Sequence, residues 1–302
     1  MSLTDQEIVD LCSSSSSLTD TPNASESLPV SPVYALASNV VVKVTVENME
    51  AEARTIALVR ARTTIPVPKV HRAFEHKGHR YLVMDYVHGG TLDSLWDNLS
   101  PWQKLRIAFT LRNYVRQLWR IRTPQIEQQV PGPITDDPTH PLPCYTPSLG
   151  EYLAPAFTSR DDFRDWMNGR YRVGEYMIKR RMHQDLFDDS EPLVFVHGDL
   201  CLRNMILGAD GRLWLIDFGC SGVYPRWFEA YSSRDGDQVP AKLWTATRKI
   251  AVGEYSRQEA FTQTCQAGFL CGSCMEDPGE HWPWDEEMVG DDDVQDAEVA
   301  VV

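Results

Sequence analysis

The sequence contains no glycine before Gly78, although the chain has 302 residues and 18 glycines. Glycine is the residue that most easily adopts unusual backbone angles and lets the main chain approach a ligand closely. A glycine-rich binding loop is therefore excluded from the first 77 residues. Any loop in that part that binds a ligand has to use other residue types.

Long apolar runs are also missing, since no stretch approaches the roughly 18 apolar residues of a membrane-spanning helix. The N-terminus has no positively charged start followed by an apolar core, so it does not have the pattern of a secretory signal. Together these features predict a cytoplasmic protein without a membrane partner.

The seven cysteines do not form the framework of a secreted disulfide protein, because their number is odd and their spacing is irregular. A zinc set could be drawn from Cys265, Cys271, Cys274 and His281, since two of these cysteines have ligand spacing. A second C-x-x-C pair is missing, which favours free reduced thiols over zinc.

Basic residues are scarce, with 29 Lys and Arg against 43 Asp and Glu. Residues 275–302 hold eleven of the acidic residues and no Lys or Arg, and without them the net charge changes from −14 to −3. We expect residues 271–302 to be a disordered acidic tail and the Ser/Thr/Pro-rich residues 1–32 to be disordered as well. Neither the body nor the tail has the basic face that binding to nucleic acid needs, so we expect no nucleic-acid partner.

Polar residues that can carry chemistry are concentrated in "VHGDLCLRN", which follows the apolar run "PLVF". A second apolar run, the turn "GADG" and the strand "RLWLIDFG" come next and predict a β-hairpin. The hairpin returns Asp217 to the end that holds Asp199 and Asn204. Two carboxylates and an amide oxygen that converge in this way predict a Mg²⁺ site.

The pairing of H-G-D-x-x-x-x-N with I-D-F-G resembles the catalytic loop and metal loop of the kinase fold. Gly198 stands where protein kinases usually carry Arg, and in this the chain resembles the aminoglycoside phosphotransferase and choline kinase-like family of small-molecule kinases. The resemblance implies an α+β, two-lobed protein-kinase-like fold. Its small β-rich N-lobe would cover residues 33–88, and its larger, mainly helical C-lobe residues 89–270.

Three upstream segments extend the resemblance. "VYAL", "ASN" and "VVVKV" predict a strand, a turn and a strand bearing Lys43, and residues 48–61 predict a helix bearing Glu52. The family pairs such a Lys and Glu against the nucleotide phosphates, whereas two solvated surface residues are the alternative. The strand "YLVMDYV" stands at the position where the family binds adenine. The resemblance therefore implies that the nucleotide is bound by Met84, Asp85, Tyr86 and Val87.

The remaining segments predict a helical C-lobe. A helix should begin at Ser100 and Pro101, and the apolar residues of its expected core stripe are Leu105, Ala108, Leu111, Val115, Leu118 and Trp119. Residues 123–159 show no periodicity and predict a long functional or disordered loop, and helical spacing resumes over residues 159–182. We expect packing roles for the aromatic residues Tyr224, Trp227 and Phe228.

The predicted function is transfer of the γ-phosphoryl group of ATP to a hydroxyl of a small metabolite or aminoglycoside-like acceptor. The resemblance implies that Asp199 is the base, that His197 belongs to the catalytic set, and that Asn204 and Asp217 bind Mg²⁺. Arg203 contacts substrate or phosphate, or else forms a structural salt bridge.

Two other functions stay open. The missing early glycines suggest a catalytically silent module that binds nucleotide or metabolite, because a phosphate loop would have to be built from "SESLPVSP" or be absent. A protein kinase is disfavoured because the segment after Asp217 lacks an A-P-E signature.

Overall fold

The computed structural model describes residues 3–18, 31–45, 48–150, 154–181, 186–234 and 243–270. Within these ranges the chain forms a β-rich N-terminal part and a mainly helical C-terminal part, here called the N-lobe and the C-lobe. The predicted α+β, two-lobed kinase-like fold is confirmed.

The N-lobe is built on a four-stranded antiparallel sheet with the strand order β1-β2-β4-β3. Its elements are α1 (Asp5–Ser14), β1 (Val33–Ala37), β2 (Val40–Thr45), α2 (Met49–Arg62), β3 (Val70–His76) and β4 (His79–Asp85). The valine-rich sequence of β2 favours a strand because β-branched side chains pack well on a pleated surface. The predicted strand, turn and strand around Lys43 and the predicted helix around Glu52 are therefore confirmed.

The C-lobe combines helices with two small antiparallel sheets, ordered β5-β7-β8 and β6-β9. Its first elements are β5 (Gly89–Thr91), α3 (Leu92–Leu95), α4 (Pro101–Leu118), α5 (Pro124–Glu127) and α6 (Arg160–Ile178). They are followed by β6 (Val194–Val196), β7 (Met205–Gly208), β8 (Leu213–Leu215), β9 (Gly222–Tyr224), α7 (Arg226–Ser232), α8 (Trp244–Val252) and α9 (Ser256–Leu270). Strands β7 and β8 pair as the predicted hairpin, which carries the chain from Asn204 to Asp217.

Helix α4 begins as predicted, with a capping box in which Ser100 and Gln103 satisfy each other's backbone amides. Its buried face consists of Lys104, Ile107, Ala108, Leu111, Tyr114, Val115 and Leu118. Leu105, expected in the core, is instead 37% exposed, and Trp119 is only half-buried. The predicted stripe was wrong at Leu105 because the buried face is centred on Leu111, about 120° away around the helix.

Helix α1 corrects the expectation that residues 1–32 are disordered. Thr4 caps the helix in a capping box with Glu7, and Asp5 pairs with Arg72 of β3 at 2.8 Å. Ile8 and Cys12, one helical turn apart, are buried against one face of the N-lobe sheet. The sheet residues in this cluster are Val40, Val42, Tyr81 and Val83. This part of the Ser-rich N-terminus is therefore a structural element of the N-lobe.

The segment expected to be a long loop is packed against the C-lobe over residues 123–150. Buried side chains along it include Ile126, Val130, Ile134, Cys144 and Leu149. Gly132 pairs with Val223 of β9, and Cys144 pairs with Ala154. These contacts bring the segment beside β9, which pairs with β6, the strand that leads into the "VHGDLCLRN" loop.

Helices α6 and α9 cross closely because glycines remove the side chains that would separate them. A Cβ atom at Gly174 would collide with the backbone oxygen of Thr264, and one at Gly268 would collide with that of Arg170. The predicted helix over residues 159–182 is observed as α6, and it ends at Ile178.

The five cysteines that the structure describes, Cys12, Cys144, Cys201, Cys220 and Cys265, are all buried. Burial raises the pKa of the Cys144 thiol to about 12 and also raises the pKa of Cys201 and Cys265. Cys265 contacts Met167 from within α9, so it does not form an open metal ligand. The other members of the suggested zinc set, Cys271, Cys274 and His281, lie outside the described residues.

No helix in the part of the chain that the structure describes is long and apolar enough to cross a membrane. The acidic residues 271–302, expected to be a disordered tail, lie outside the described residues. Tyr224, Trp227 and Phe228 are buried and pack together, as expected for core aromatics.

Candidate active site

The predicted catalytic loop leaves the end of β6 at a position that requires glycine. Gly198 has φ +80°, and a Cβ atom there would collide with the carbonyl oxygen of Cys220. Larger residues are therefore excluded by both backbone angle and space. The close packing of this loop against the segment after Asp217 explains physically why Gly follows His197.

His197 is fully buried and joins the catalytic loop to the strand end that carries Asp217. Its Nε2 lies 3.1 Å from the carbonyl oxygen of Ile216, and its Nδ1 lies 3.3 Å from the amide nitrogen of Asp199. Burial lowers the pKa of His197, so the ring is neutral. A neutral ring that donates from Nε2 and accepts at Nδ1 satisfies both contacts, and its ring also packs on Phe218. This is the geometry of a positioning residue.

Glu229 of α7 is a site residue that the sequence did not reveal. Its buried carboxyl group accepts hydrogen bonds from the backbone amides of His197 at 2.7 Å and Gly198 at 3.3 Å. Burial raises the pKa of Glu229 from its ordinary 4.5 to about 7, and the two backbone hydrogen bonds oppose the rise. The available signal was an acidic residue among the apolar residues of "RWFEAYS".

The carboxylate of Asp199 is held from two sides by residues of its own loop. One nitrogen of Arg203 lies 3.0 Å and 2.9 Å from its two oxygens, and the side-chain amide of Asn204 donates to Oδ2 at 2.8 Å. Of the two roles considered for Arg203, the salt bridge is the one observed. The Arg203 side chain is 61% exposed, so this contact contributes little to stability. Its effect is to orient Asp199.

Lys43, Glu52 and Asp217 form an ion-pair network that spans the two lobes. The ammonium group of Lys43 lies 3.0 Å from Glu52 of α2 and 2.8 Å from Asp217. Burial alone would lower the pKa of Lys43, but the charges of Asp217 and Glu52 outweigh it and the pKa is raised. Burial would raise the pKa of Asp217, yet the Lys43 charge keeps it below its usual value. Lys43 and Glu52 are buried, so the alternative of two solvated surface residues is excluded.

The two predicted metal ligands have oxygen atoms to spare. Asp217 Oδ1 binds Lys43 and accepts from the amide of Gly219, whereas Oδ2 has no hydrogen bond within the described ranges. Asn204 uses its amide nitrogen on Asp199, which leaves its Oδ1 without a partner among the same residues. Asp217 has φ +62°, a left-handed conformation that Asp tolerates better than most residues. Hard oxygen ligands of this kind fit Mg²⁺.

The predicted adenine-binding residues connect β4 to β5 between the lobes. The amide of Asp85 donates to Lys69 and that of Tyr86 to Asn39, while the Asp85 side chain contacts His71. The Val87 amide donates to none of the residues described. Met84 packs against the main core. Among the described residues, the Val87 amide is therefore available as a hydrogen-bond donor. The Asp85 carboxylate instead contacts the Lys69 amide and the His71 ring.

The first two strands of the sheet are joined by the turn at Ser38 and Asn39, which lies at the Tyr86 end of the sheet. At the opposite end, Val33 of β1 pairs with Lys43, and its carbonyl oxygen accepts from the amide of Leu18 at 2.7 Å. Of the segment "SESLPVSP", considered as a replacement phosphate loop, residues 25–30 lie outside the described part of the chain.

Several solved structures are similar to this chain. A structure of a putative fructosamine-3-kinase from Haemophilus somnus 129PT is 17% identical, covers 76% of this chain and 79% of its own, and has a TM-score of 0.47. A streptomycin–ATP–APH(2")-IIa ternary complex is 16% identical, with coverage of 88% and 87% and a TM-score of 0.48. A choline/ethanolamine kinase family protein from Mesorhizobium loti is 15% identical, with coverage of 88% and 83% and a TM-score of 0.43.

A search of curated proteins gave no match. The sequence model described as "Phosphotransferase enzyme family" matches residues 41–260, a range that contains β2, α2, the catalytic loop and Asp217. This match covers well over half of the chain and includes every predicted site residue. The chain belongs to the phosphotransferase enzyme family.

Proposed function

We propose that the chain is a kinase that transfers the γ-phosphoryl group of ATP to a hydroxyl group of a small molecule. The observation that carries the proposal is the buried ammonium group of Lys43, held between Glu52 and Asp217. Burying the charges of Lys43 and Glu52 is costly unless they are well paired. A phosphate-binding role gives a reason for this arrangement at the junction of the lobes.

The nucleotide would lie between the lobes, with its phosphates near Lys43 and its base near the segment 84–87. Lys43 would neutralise phosphate charge while Glu52 holds its side chain in place. The free amide of Val87 is suited to donate a hydrogen bond to a purine nitrogen. These assignments use backbone and charge features that do not depend on a glycine-rich loop.

Asn204 Oδ1 and Asp217 Oδ2 would hold Mg²⁺, which supplies positive charge to the phosphate oxygens when it is bound. The described residues contain no cluster of three or more His, Cys, Asp or Glu side chains that could hold a metal ion. A site with few protein ligands is the usual arrangement for Mg²⁺ at a nucleotide, because phosphates and water complete the coordination.

Asp199 would accept the proton of the acceptor hydroxyl while that oxygen forms its bond to the γ-phosphorus. The bond between the γ-phosphorus and the bridging oxygen breaks, and ADP leaves with that oxygen. Arg203 and Asn204 would keep the carboxylate oriented during this step. Its exposed guanidinium gives Arg203 access to substrate or phosphate as well. His197 and Glu229 would act through the loop and not on the substrate.

A catalytically silent binding module is the second candidate, and the absence of glycine before Gly78 favours it. Such a module would bind nucleotide through the same residues without transferring the phosphoryl group. A protein kinase is a weaker candidate because the segment after Asp217 enters β9 and α7 directly.

The proposal is tested with wild type and Asp199→Asn, using titration calorimetry with a non-hydrolysable ATP analogue and Mg²⁺ beside an ADP-release assay over small alcohols. Asp199→Asn keeps the size of the side chain and removes its charge, so nucleotide affinity should stay within about tenfold while turnover falls about a hundredfold or more. Asp161→Asn, on the exposed first turn of α6, is the matched control and should change neither quantity.

Three outcomes contradict the proposal. A wild type that binds nucleotide but releases no ADP with any acceptor supports the silent module. Phosphate that appears only on peptides supports a protein kinase. An unchanged rate in Asp199→Asn means that Asp199 is not the base.

A further inference from the structure

The solvent-facing side of α4 is an apolar and cationic strip, defined here as residues Trp102, Leu105, Arg106, Phe109, Asn113, Arg116 and Arg120. Trp102 is 73% exposed and Phe109 is 58% exposed, and Leu105 lies beside them. With Arg106 and Thr110 they line a shallow depression of about 400 Å³. Exposed aromatic residues that share one helix face commonly mark a binding surface. The strip lies opposite the buried face centred on Leu111.

The second half of the strip is positively charged. Helix α4 contains four basic residues and no Asp or Glu. A second depression of about 310 Å³ lies near the end of the helix. It is lined by Arg62, Arg120 and Arg122, together with Gln117 and Ile121. Arg62, Arg116 and Arg120 form no ion pair with any residue in the described ranges. Unpaired arginines around a depression indicate an anionic occupant, in a chain whose net charge is −14.

We propose that residues 276–298 of this chain dock in extended form along the α4 strip. This segment carries Trp282 and Trp284 and then two acidic runs, residues 285–287 and residues 291–293. The tryptophans contact the aromatic half of the strip, and the acidic runs contact its arginines. The proposal goes beyond the phosphotransferase function and does not depend on it.

The lengths of the two partners match. From Trp102 to Leu118 the helix axis advances by about 24 Å at 1.5 Å per residue, and Arg120 lies two residues beyond the end of the helix. From Trp284 to Asp292 an extended chain advances by about 26 Å at 3.3 Å per residue. The eleven residues between Leu270 and Trp282 provide twelve Cα–Cα steps, which can span about 40 Å when extended. This length is comparable with the width of a domain of this size.

A tethered segment has an advantage over a separate partner. Its effective concentration at the strip is of millimolar order, so weak contacts suffice for docking. Composition that disfavours independent folding is compatible with this, because the segment needs only two apolar anchors and its charges.

The test places the photo-cross-linker p-benzoylphenylalanine at Asn113, the exposed residue midway along the strip, in the full-length chain. After illumination, mass spectrometry identifies the cross-linked peptides. We expect cross-links to residues 276–298 within single chains, at a yield at least fivefold above that of the same label at His79, an exposed N-lobe position. Trp282→Ser with Trp284→Ser should reduce the yield at least fivefold.

A charge exchange tests the acidic half separately. Arg116→Glu with Arg120→Glu should reduce the yield at least fivefold, and Asp291→Arg, Asp292→Arg and Asp293→Arg added to that chain should restore at least half of it. Mixed isotope-labelled and unlabelled chains distinguish cis from trans docking. Cross-links between chains would overturn the proposal in favour of a second copy. A yield equal to that at His79, or insensitivity to all these substitutions, would overturn it altogether.

Discussion

At the residue scale, the polar groups of the catalytic loop have partners that fix the backbone as well as the side chains. Ser221 donates to the carbonyl oxygen of His197 at 2.8 Å, and Thr146 donates to that of Gly198 at 3.1 Å. The amides of the same two residues donate to Glu229. The loop backbone is therefore held at both its donors and its acceptors, which preorganises Asp199.

Glu229 should give the protein a pH-dependent stability that a glutamine removes. In the unfolded chain this carboxyl group ionises near 4.5, whereas in the folded protein its pKa is about 7. The folded state therefore binds more protons between these values, and stability falls as pH rises through this window. The total change is about 3 kcal/mol, from about 1.4 kcal/mol for each pKa unit.

The measurement compares denaturant unfolding of wild type and Glu229→Gln at pH 5 and pH 7.5. Wild-type stability should decrease relative to the variant between these two values. The variant should also lose turnover more than nucleotide affinity, because one loop amide loses its acceptor. Parallel stability curves for the two proteins would show that Glu229 does not titrate in this window.

At the element scale, the contact between α6 and α9 depends on having no side chain at Gly174. Gly174→Ala places a methyl group where the carbonyl oxygen of Thr264 lies, so one helix must shift. Overpacking of this kind costs about 1–3 kcal/mol. Calorimetry or chemical denaturation should show that loss, while Met177→Ala, at an exposed position of the same helix, should change stability little. Equal stability of the two variants would show that α9 can move without cost.

Elements with a local signal were predictable from the sequence, and those fixed by distant contacts were not. The strands around Lys43 and the hairpin before Asp217 have β-branched or apolar residues bounded by turn residues, and both were predicted. Helix α1 was missed because the run of serines that follows Cys12 suggested disorder. Its stability comes from the sheet beneath it, which the local sequence does not contain.

In the candidate site, too, residues with a local sequence signal were predictable and those fixed by distant contacts were not. Asp199 and Asn204 lie just before one hairpin and Asp217 just after it, so their convergence followed from the predicted strands. Glu229 is 32 residues from His197, and its contact depends on how α7 packs against β6. No spacing in the sequence indicates such a contact. For Arg203, both a salt bridge and a substrate contact fitted the sequence. The structure shows the salt bridge to Asp199, and the substrate contact stays a prediction.

At the scale of the whole molecule, Lys43 links the two lobes, because its ammonium group contacts Glu52 in the N-lobe and Asp217 in the C-lobe. Lys43→Met would leave Glu52 buried without its cation and should lower stability by about 3–5 kcal/mol. Adding Glu52→Gln removes the carboxylate charge that Lys43 contacts in the wild type and should restore at least half of that loss. ATP with Mg²⁺ should stabilise neither Lys43→Met nor the double variant, because neither has the Lys43 cation for the phosphates.

Chemical denaturation and thermal-shift titration of the wild type, the two single variants and the double variant provide this cycle. The single variant Glu52→Gln should keep part of the nucleotide response, since Asp217 still contacts Lys43. Nucleotide stabilisation of the double variant equal to that of the wild type would contradict the assignment of Lys43. Additive effects of the two substitutions on stability would contradict their direct pairing.

The buried cysteines can report how easily separate regions of the folded protein open. Cys12 lies on the buried face of α1, Cys144 in the packed loop, and Cys201 in the catalytic loop. Cys220 follows Asp217, and Cys265 lies on the side of α9 that contacts α6. A thiol reagent can modify each one only when its own region opens, and regions of one protein open with different free energies. The order in which the five thiols react under native conditions therefore ranks the local opening of five regions in an unaltered chain.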